Sequence, residues 1–150
     1  MPDTEYRTIQ GRLSSTVIKS ITALYELIFN SPGDRVAKKL RREDLKTVVA
    51  EKDSLVVGFK IGYGYDEKPL RFYSWLGGVH PDYRRQGIGG ELMRRQHEFC
   101  LRTGFQTIRT KTTNQWPSML LLNIRHGFRV IGTYVDEERE IKIVLEKRLQ

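Results

Sequence analysis

The sequence predicts an α/β protein with a mixed sheet flanked by helices. Its 150 residues suit one domain with a real core, so we expect a single domain over residues 1–150. Hydrophobic residues make up 39% and charged residues 29%, as in a soluble globular protein. The third observation is the order of the periodic segments, in which helical stripes alternate with short strand-like runs.

The first predicted elements are two helices and a strand. Apolar residues recur at helical spacing from Val17 to Phe29. Ser31-Pro32-Gly33 should end this helix, and segment 35–42 predicts a short basic helix. Segment 47–50 predicts the first central strand.

A β-hairpin follows. Segment 54–65 places large side chains at odd positions and glycines at three even positions, which leaves one face nearly bare and open to a neighbouring backbone. Segment 66–69 predicts a turn, and 70–79 the returning strand. Gly77-Gly78 predicts a bulge or a splay in that strand. Four aromatic residues could line an acceptor pocket or belong to the core, because alternation does not say which face is buried: Tyr63, Tyr65, Tyr73 and Trp75.

The remaining segments continue the alternation. They predict a helix over 87–102 ended by Gly104, a strand over 105–110, a helix over 117–126, and closing strands over 128–135 and 141–145. The acidic run 136–138 lies between the last two strands and reads as a solvated turn. The predicted order is helices, three strands, helix, strand, helix and two strands.

The charge balance favours anionic partners. The formal net charge is +8 and the pI is about 9.7, which suits nucleotides, nucleic acids or acidic surfaces. The basic residues are spread along the chain, so a solvated basic surface accounts for most of the excess. Two local concentrations stand out, and the second surrounds a glycine-rich loop where a polyphosphate would gain most: Arg35, Lys38, Lys39, Arg41, Arg42 and Lys46, then Arg84, Arg85, Arg94 and Arg95.

Several classes of protein are disfavoured. Cys100 is the only cysteine, so no intrachain disulfide can form and a reducing cytoplasm fits. No apolar run approaches the ~20 residues that span a bilayer, and the first residues do not resemble a secretory signal. The three histidines lack ligand spacing, so we expect no metal site.

The segment from Val79 to Gly90 carries the most information. A strand-like run ends at Pro81, a basic pair follows, and three glycines stand within four residues before a helical pattern begins. Loop amides left accessible by glycine, with a helix N-terminus behind them, form an anion site. The glycines could instead serve only as a tight connection. A dinucleotide fingerprint does not fit, because it requires Gly-x-Gly-x-x-Gly after an early strand.

The residues Arg84-Arg85-Gln86-Gly87-Ile88-Gly89 resemble the Arg/Gln-x-x-Gly-x-Gly/Ala signature of the GNAT acetyltransferases. The element order from about Thr16 onward also resembles the GNAT fold, a mixed, mostly antiparallel central sheet flanked by helices. The resemblance implies acetyl-CoA as co-substrate, with its pyrophosphate facing the amides of residues 85–90. The cofactor-binding residues that it implies are Gly77, Val79, Arg84, Arg85, Gln86, Gly87, Ile88, Gly89, Gly90, Asn114 and Asn123.

The resemblance also implies where the reacting end of acetyl-CoA lies. In this family the pantetheine arm runs beside the splayed strand, with hydrogen bonds to the main chain near Gly77 and Val79. The Val79 amide is then placed to receive the thioester oxygen and to stabilise the charge that develops there. The side chains of Arg84 and Arg85 add charge at the loop or are simply solvated.

A second family motif, Asn-x-x-Ala-x-x-Leu-Tyr-x-x-x-Gly-Phe, is matched at Asn114 and at Gly127-Phe128. Asn114 is a candidate pantetheine contact or a cap of the next helix. The chain departs from the motif at Asn123, where the family usually has a tyrosine that protonates the departing thiolate. Asparagine has no titratable proton, so Asn123 can only donate a hydrogen bond to sulfur or hold the cofactor.

The general base is not evident from the sequence. Many relatives carry a glutamate on the strand before the loop, but segment 72–79 contains no carboxylate. Tyr73 stands near that position, although a phenol, with an ordinary pKa of about 10, is a poor base. His80 has a suitable chemistry but commonly serves as a turn residue here. A water relay or an amine that enters neutral are equal alternatives.

The implied activity is N-acetyl transfer to a primary amine, which attacks the thioester directly while both substrates are bound. Asn123 and the missing carboxylate keep open a second hypothesis, a non-catalytic domain that binds or senses acyl-CoA. A third class is a nucleic-acid-binding module, but no RNA-recognition signature is present. We expect a small-molecule or peptide amine as acceptor, no membrane or nucleic-acid partner, and a cytoplasmic monomer or homodimer.

Overall fold

The computed structural model describes residues 3–67 and 70–149, and of residues 66 and 67 only the backbone. Within these residues the chain forms seven strands, four α-helices and one short 3-10 helix. In chain order they are β1 Glu5–Gln10, α1 Ser15–Phe29, α2 Asp34–Lys39, β2 Lys46–Lys52, β3 Leu55–Glu67, β4 Leu70–Val79, the 3-10 helix Pro81–Tyr83, α3 Ile88–Arg102, β5 Thr107–Thr113, α4 Pro117–Arg125, β6 Arg129–Val135 and β7 Ile141–Arg148.

The strands form a seven-stranded sheet in the order β1-β2-β3-β4-β5-β7-β6. The pairs β1–β2, β2–β3, β5–β7 and β6–β7 are antiparallel. The pair β4–β5 is parallel, because α3 carries the chain back between these two strands. The predicted mixed, mostly antiparallel sheet is therefore confirmed.

The chain divides into two compact units. The first contains the described residues of Met1–Tyr63 and Leu76–Gln96, and the second those of Gly64–Trp75 and His97–Gln150. The core of the second unit is built around Phe72, Ile108 and Leu145, which are fully buried. The ring of Phe105 packs edge-on against that of Phe72, with the centroids 5.2 Å apart.

In the first unit, α1 and α3 cover opposite faces of the strands. A Cβ added at Gly78 would lie 2.7 Å from Ile28 of α1 and 3.7 Å from the Phe59 ring. A Cβ added at Gly58 would lie 3.0 Å from Leu92 of α3. Neighbouring residues of a strand point to opposite faces of the sheet. Phe59 lies on the face that α1 covers and Gly58 on the face that α3 covers, so the two helices pack on different sides. The α3 side holds a buried cluster of Val48, Ala50, Val57, Ile88 and Leu92.

Strand β1 is the element that the sequence analysis missed. It pairs with β2 along its whole length, from Glu5↔Glu51 to Gln10↔Lys46. Only Tyr6 and Ile9 are even half-buried, so the segment lacks the alternation that marks a half-buried strand. Backbone pairing at the sheet edge, rather than side-chain burial, makes it a strand.

Several predicted boundaries were wrong. Helix α2 ends at Lys39 rather than Arg42, and the predicted turn over 66–69 fails at residues 66 and 67, which continue β3. Positions 68 and 69 lie outside the described residues. Strand β5 starts and ends later than predicted, and β7 runs on to Arg148, because their ladder extends from Thr107↔Arg148 to Thr113↔Lys142. Ladder partners prolong a strand beyond the apolar run that signals it.

Candidate active site

A tight turn connects β4 to the glycine loop. The His80 amide donates to the Val57 carbonyl over 2.7 Å, which fixes the end of β4 against β3. The His80 ring nitrogen Nδ1 accepts from the Asp82 amide over 3.1 Å and caps the 3-10 helix. His80 is therefore occupied as a turn residue, the more ordinary of its two predicted roles.

The loop after this turn contains two residues in the left-handed region. Arg85 has φ +63 and Gly87 has φ +78. The Gly87 carbonyl accepts the Glu91 amide over 3.0 Å, which begins α3 one residue later than predicted. A Cβ added at Gly87 would meet no atom within 4 Å, so this position faces open space. The Ile88 side chain is 2% exposed and packs in the core, which leaves only its amide for a ligand.

The six amides from Arg85 to Gly90 have no hydrogen-bond acceptor within residues 3–67 and 70–149. The last three belong to the first turn of α3, where amides have no partner inside the helix. Together they place unpaired N–H groups at the positive end of the α3 dipole, which suits an anion. These are the amides that the sequence predicts to bind an anion, and that binding stays a prediction.

The side-chain charges around the loop differ from the prediction. Lys52 donates to Gln86 Oε1 over 3.1 Å, which adds a cation that sequence reasoning missed. Arg94 and Arg95 contact Glu91 at 2.8 and 2.7 Å, and their hydrogen bonds lower the pKa of Glu91 to about 2. The expected contribution of these two arginines to polyphosphate binding is thus offset by Glu91. Their i,i+3 and i,i+4 spacing from Glu91 was the available signal.

The ladder between β4 and β5 covers only the first half of β4, and the predicted bulge or splay at Gly77-Gly78 stays a prediction. The ladder runs from Arg71↔Thr107 to Ser74↔Thr110 and stops there. The Thr110 hydroxyl donates to the Ser74 carbonyl over 2.9 Å at this last pair. Leu76 to Val79 of β4 lie beyond the end of this ladder. The Val79 carbonyl accepts from Arg84 Nε over 3.3 Å, which ties the loop to the strand end.

The nearly bare face of β3 carries one residue that sequence reasoning passed over. This face packs against α3 at Gly58 and also carries Lys60, which is only 7% exposed. Burial lowers the pKa of Lys60 to about 8. The sequence signal that could have indicated this buried lysine was its position between two glycines in an otherwise apolar strand.

Two asparagines of the second motif lie in different surroundings. Asn123 on α4 is 2% exposed, and its Oδ1 has no hydrogen-bond partner among the described residues. Asn114 is exposed after β5. The N-cap of α4 is Trp116 without a side-chain hydrogen bond, so the alternative that Asn114 caps this helix is wrong.

The four strand aromatics are partly accessible. Tyr65 is exposed and the other three are half-buried, so the choice between a pocket and the core stays a prediction. In the first unit, the Tyr63 hydroxyl accepts a hydrogen bond from Lys39 Nζ over 3.1 Å. The Arg42 guanidinium carbon stacks over the Tyr63 ring, 3.9 Å from its centroid. In the second, Tyr73 packs edge-on against Tyr65 at 6.1 Å.

Two other chemistries find no support in the described residues. Cys100 is fully buried, and burial raises the pKa of its thiol far above the ordinary value, so it is an inert core residue. No group of three or more His, Cys, Asp or Glu side chains in residues 3–67 and 70–149 could hold a metal ion. No helix in the same residues is long and apolar enough to cross a membrane.

Comparison with known proteins decides the family. The model of the acetyltransferase (GNAT) domain matches residues 43–130, more than half of the chain. A protein of Yersinia pestis strain Pestoides F described as an acetyltransferase is 30% identical over 123 residues, which cover 81% of this chain and 77% of that protein. The chain belongs to the GNAT acetyltransferase family. It is an acetyl-CoA-dependent N-acetyltransferase, and the non-catalytic alternative is not favoured.

Solved structures agree with this GNAT fold. The aminoglycoside 6'-N-acetyltransferase of Enterococcus faecium superposes with a TM-score of 0.82 at 12% identity, covering 97% of both chains. A chain of the NatC complex bound to Gag peptide and CoA superposes with a TM-score of 0.75 at 15% identity, covering 99% of both chains. At these identities the likeness concerns the fold alone.

The residues of this GNAT protein fit acetyl-CoA as co-substrate. The diphosphate needs several hydrogen-bond donors, and the amides of residues 85–90 are unpaired.

Proposed function

We propose that the enzyme transfers the acetyl group by direct attack of a primary amine within a ternary complex. The amine nitrogen bonds to the thioester carbon, the C–S bond breaks, one proton leaves the acceptor nitrogen and the thiolate takes up a proton. No side chain forms a covalent intermediate, which agrees with the inert burial of Cys100. The observation that carries the proposal is the set of six unpaired amides at the start of α3.

In this proposal the diphosphate of acetyl-CoA is bound mainly by main-chain groups. The amides of Arg85, Gln86, Gly87, Ile88, Gly89 and Gly90 donate to its oxygens. Arg84 and Arg85 add charge, and so does Lys52 through its position beside Gln86. Because the amides belong to a backbone conformation fixed by Gly87, their alignment does not depend on long flexible side chains.

The reacting end is assigned to the open edge of β4. The main chain of Gly77 and Val79 binds the pantetheine arm, and the Val79 amide donates to the thioester oxygen as it acquires charge. The hydrogen bond from Arg84 to the Val79 carbonyl fixes the next peptide group, between Val79 and His80, and so restrains the end of the strand. Asn114, exposed at the end of β5, is proposed as a further pantetheine contact.

Departure of the thiolate does not require a strong acid. A thiol has a pKa of roughly 8.5 against roughly 10.4 for a lysine-like amine, so the thiolate is the better leaving group. Asn123 is proposed to stabilise the sulfur through its carboxamide, since it has no proton to give up. Tyr73 remains the candidate base on β4, with a water relay or a neutral amine as alternatives.

The acceptor is proposed to be a small-molecule or peptide amine. The similar structures named above are described as an aminoglycoside acetyltransferase and as a complex bound to a peptide, so both classes occur on this fold. We further propose a single cytoplasmic domain over residues 1–150, present as a monomer or homodimer and without a nucleic-acid partner. Retention on RNA that weakens with salt would contradict the last statement.

A thiol-release assay tests the proposed function. Wild-type protein is mixed with acetyl-CoA and a panel of peptide and small-molecule amines, and free coenzyme A is followed over time. We expect micromolar affinity for coenzyme A by calorimetry and sustained release with at least one amine. Tight binding with silence across the whole panel would favour the sensing alternative, and absence of binding would contradict both.

A further inference from the structure

The end of the Lys60 side chain lies against Gly77 of the neighbouring strand. A Cβ added at Gly77 would lie 3.4 Å from both Cδ and Nζ of Lys60. Lys60 stands on β3, and Gly77 on the neighbouring strand β4, within the same compact unit. The Lys60 ammonium therefore lies beside the main chain of Gly77, along which the pantetheine arm is proposed to run.

The Lys60 ammonium has no protein partner that would explain its burial. Within residues 3–67 and 70–149 it has neither a hydrogen-bond acceptor nor a carboxylate nearby, and burial alone lowers its pKa to about 8. An unpaired charge in such a place is strongly unfavourable in the free protein. At pH 7 a lysine with this pKa is still about 90% protonated, so the charge is present.

A second unsatisfied polar group lies on the same side of the strands. Gln96 on α3 is 2% exposed, and neither its Oε1 nor its Nε2 has a hydrogen-bond partner among the described residues. It follows Leu92, which faces Gly58, by one helical turn. Lys60 follows Gly58 by two strand residues, and this length of strand is about equal to the rise of one helical turn. Lys60 and Gln96 therefore belong to the same stretch of the interface between β3 and α3.

We propose that the Lys60 ammonium, which lies beside Gly77, donates a hydrogen bond to the acyl-thioester end of bound acetyl-CoA, and that Gln96 completes this polar site. The inference rests on the proposed function, because the arm is placed along the main chain of Gly77 and Val79. Lys60 keeps its proton throughout and forms no covalent bond. Its charge adds to that of the Val79 amide when the thioester oxygen becomes negative.

Lys60→Met tests the contact, because methionine keeps most of the apolar stem and removes the charge. Calorimetry at pH 7 compares acetyl-CoA with coenzyme A, which differ only at the acyl group. We expect the Kd for acetyl-CoA to rise roughly tenfold, as for loss of a charge-assisted hydrogen bond, and that for coenzyme A by less than about twofold. We expect kcat to fall more than the KM for the acceptor rises. Lys19→Met, at an exposed site on α1, is the control.

Each outcome decides the matter. Equal losses for both ligands would place the contact elsewhere on the arm and overturn the proposal, as would unchanged affinity and kcat in a folded variant. If wild-type protein neither binds coenzyme A nor releases thiol, the proposed function fails, and this inference fails with it. If wild-type protein does both while Lys60→Met matches it, only this inference fails.

A measurement on the wild-type protein avoids any dependence on the folding of the variant. Lysine labelled with carbon-13 at Cε reports the ionisation of Lys60 by NMR. We expect its titration midpoint to rise by at least one pH unit when acetyl-CoA is added, because the bound oxygen favours the ammonium form. An unchanged or lower midpoint with the cofactor bound would overturn the proposal.

Discussion

The two family motifs of this chain would hold acetyl-CoA by different means. The anion loop matches the signature from Arg84 to Gly89 and offers main-chain amides, whereas α4 departs from its motif at Asn123 and offers one side chain. Binding by main-chain amides depends on backbone conformation and tolerates varied side chains. The chemistry at the thioester depends on individual side chains, so it can change while cofactor binding is kept.

Gly87→Val should disrupt binding of coenzyme A by the main-chain amides, and it has the largest expected effect. Gly87 has φ +78 with no atom within 4 Å of an added Cβ, so the substitution strains the backbone without a clash. A left-handed, β-branched residue costs roughly 1–2 kcal/mol, and the loop can relieve this by leaving the conformation that aims its amides. We expect the calorimetric Kd for coenzyme A to rise roughly 100-fold, about 2.7 kcal/mol.

Gly104→Val is the matched control for that variant. Gly104 has φ +93 and equally open surroundings, but it follows the end of α3 instead of preceding its start. Both variants should lose similar free energy of unfolding, while only Gly87→Val loses affinity. Comparable affinity losses in the two variants, or none in folded Gly87→Val, would contradict the main-chain account.

Lys60→Met should make the protein more stable, in contrast to its expected loss of affinity. The pKa of Lys60 falls from 10.5 to about 8 on folding, so burial of the ammonium disfavours the folded state at pH 7. The difference corresponds to roughly 3 kcal/mol in the free energy of unfolding, measured with denaturant. No gain relative to Lys19→Met would show that the ammonium is solvated.

The same group makes a signed prediction for pH. Between pH 8 and 10.5 the folded protein has released the Lys60 proton while the unfolded chain still holds it. Unfolding therefore takes up a proton, and wild-type stability relative to Lys60→Met should increase with pH across this window. A constant difference between the two proteins from pH 7 to 10.5 would contradict the lowered pKa.

Asn123→Ala should separate chemistry from binding. The buried carboxamide is proposed to act on sulfur, so we expect kcat to fall roughly tenfold while the Kd for coenzyme A changes by less than about threefold. The thiol-release assay measures kcat, and calorimetry measures the Kd for coenzyme A. Ser118→Ala, exposed on the same helix, is the control. A large loss of affinity with unchanged kcat would make Asn123 a binding residue only.

Lys52→Met should have the smallest effect. Its ammonium contacts Gln86 at 3.1 Å and lies beside the proposed diphosphate site, but it is partly solvated. A partly exposed charge is worth about 0.5–1 kcal/mol, so we expect a two- to fivefold rise in the Kd for coenzyme A. The dependence of Kd on salt should also become weaker. A salt dependence equal to that of wild type would exclude Lys52 from the site.

The sequence was sufficient for the parts of the fold that local chemistry determines. The loop over residues 85–90 can be predicted from the sequence because glycine, proline and the change from strand to helix periodicity all occur within a dozen residues. Strand β1 was not readable, because an exposed edge strand is held by ladder hydrogen bonds that leave no apolar pattern. The ends of β5 and β7 were likewise set by their mutual ladder.

The charged residues of the site were harder to predict. Lys52 reaches Gln86 from 34 residues away, a contact that forms only when β2 and the loop after β4 come together in the folded chain. Lys60 lies on a strand face whose burial depends on where α3 packs, and alternation alone cannot reveal that. The pairing of Glu91 with Arg94 and Arg95, in contrast, follows from helical spacing and could have been foreseen.

The most direct test of the central claim observes the loop amides themselves. In a two-dimensional NMR spectrum of nitrogen-15-labelled protein, coenzyme A is titrated and the amides of residues 85–90 are followed. The account predicts that these six signals move farthest and become protected from exchange with solvent, as amides that donate to phosphate oxygens should. Saturating coenzyme A that leaves them unchanged while other signals move would contradict it.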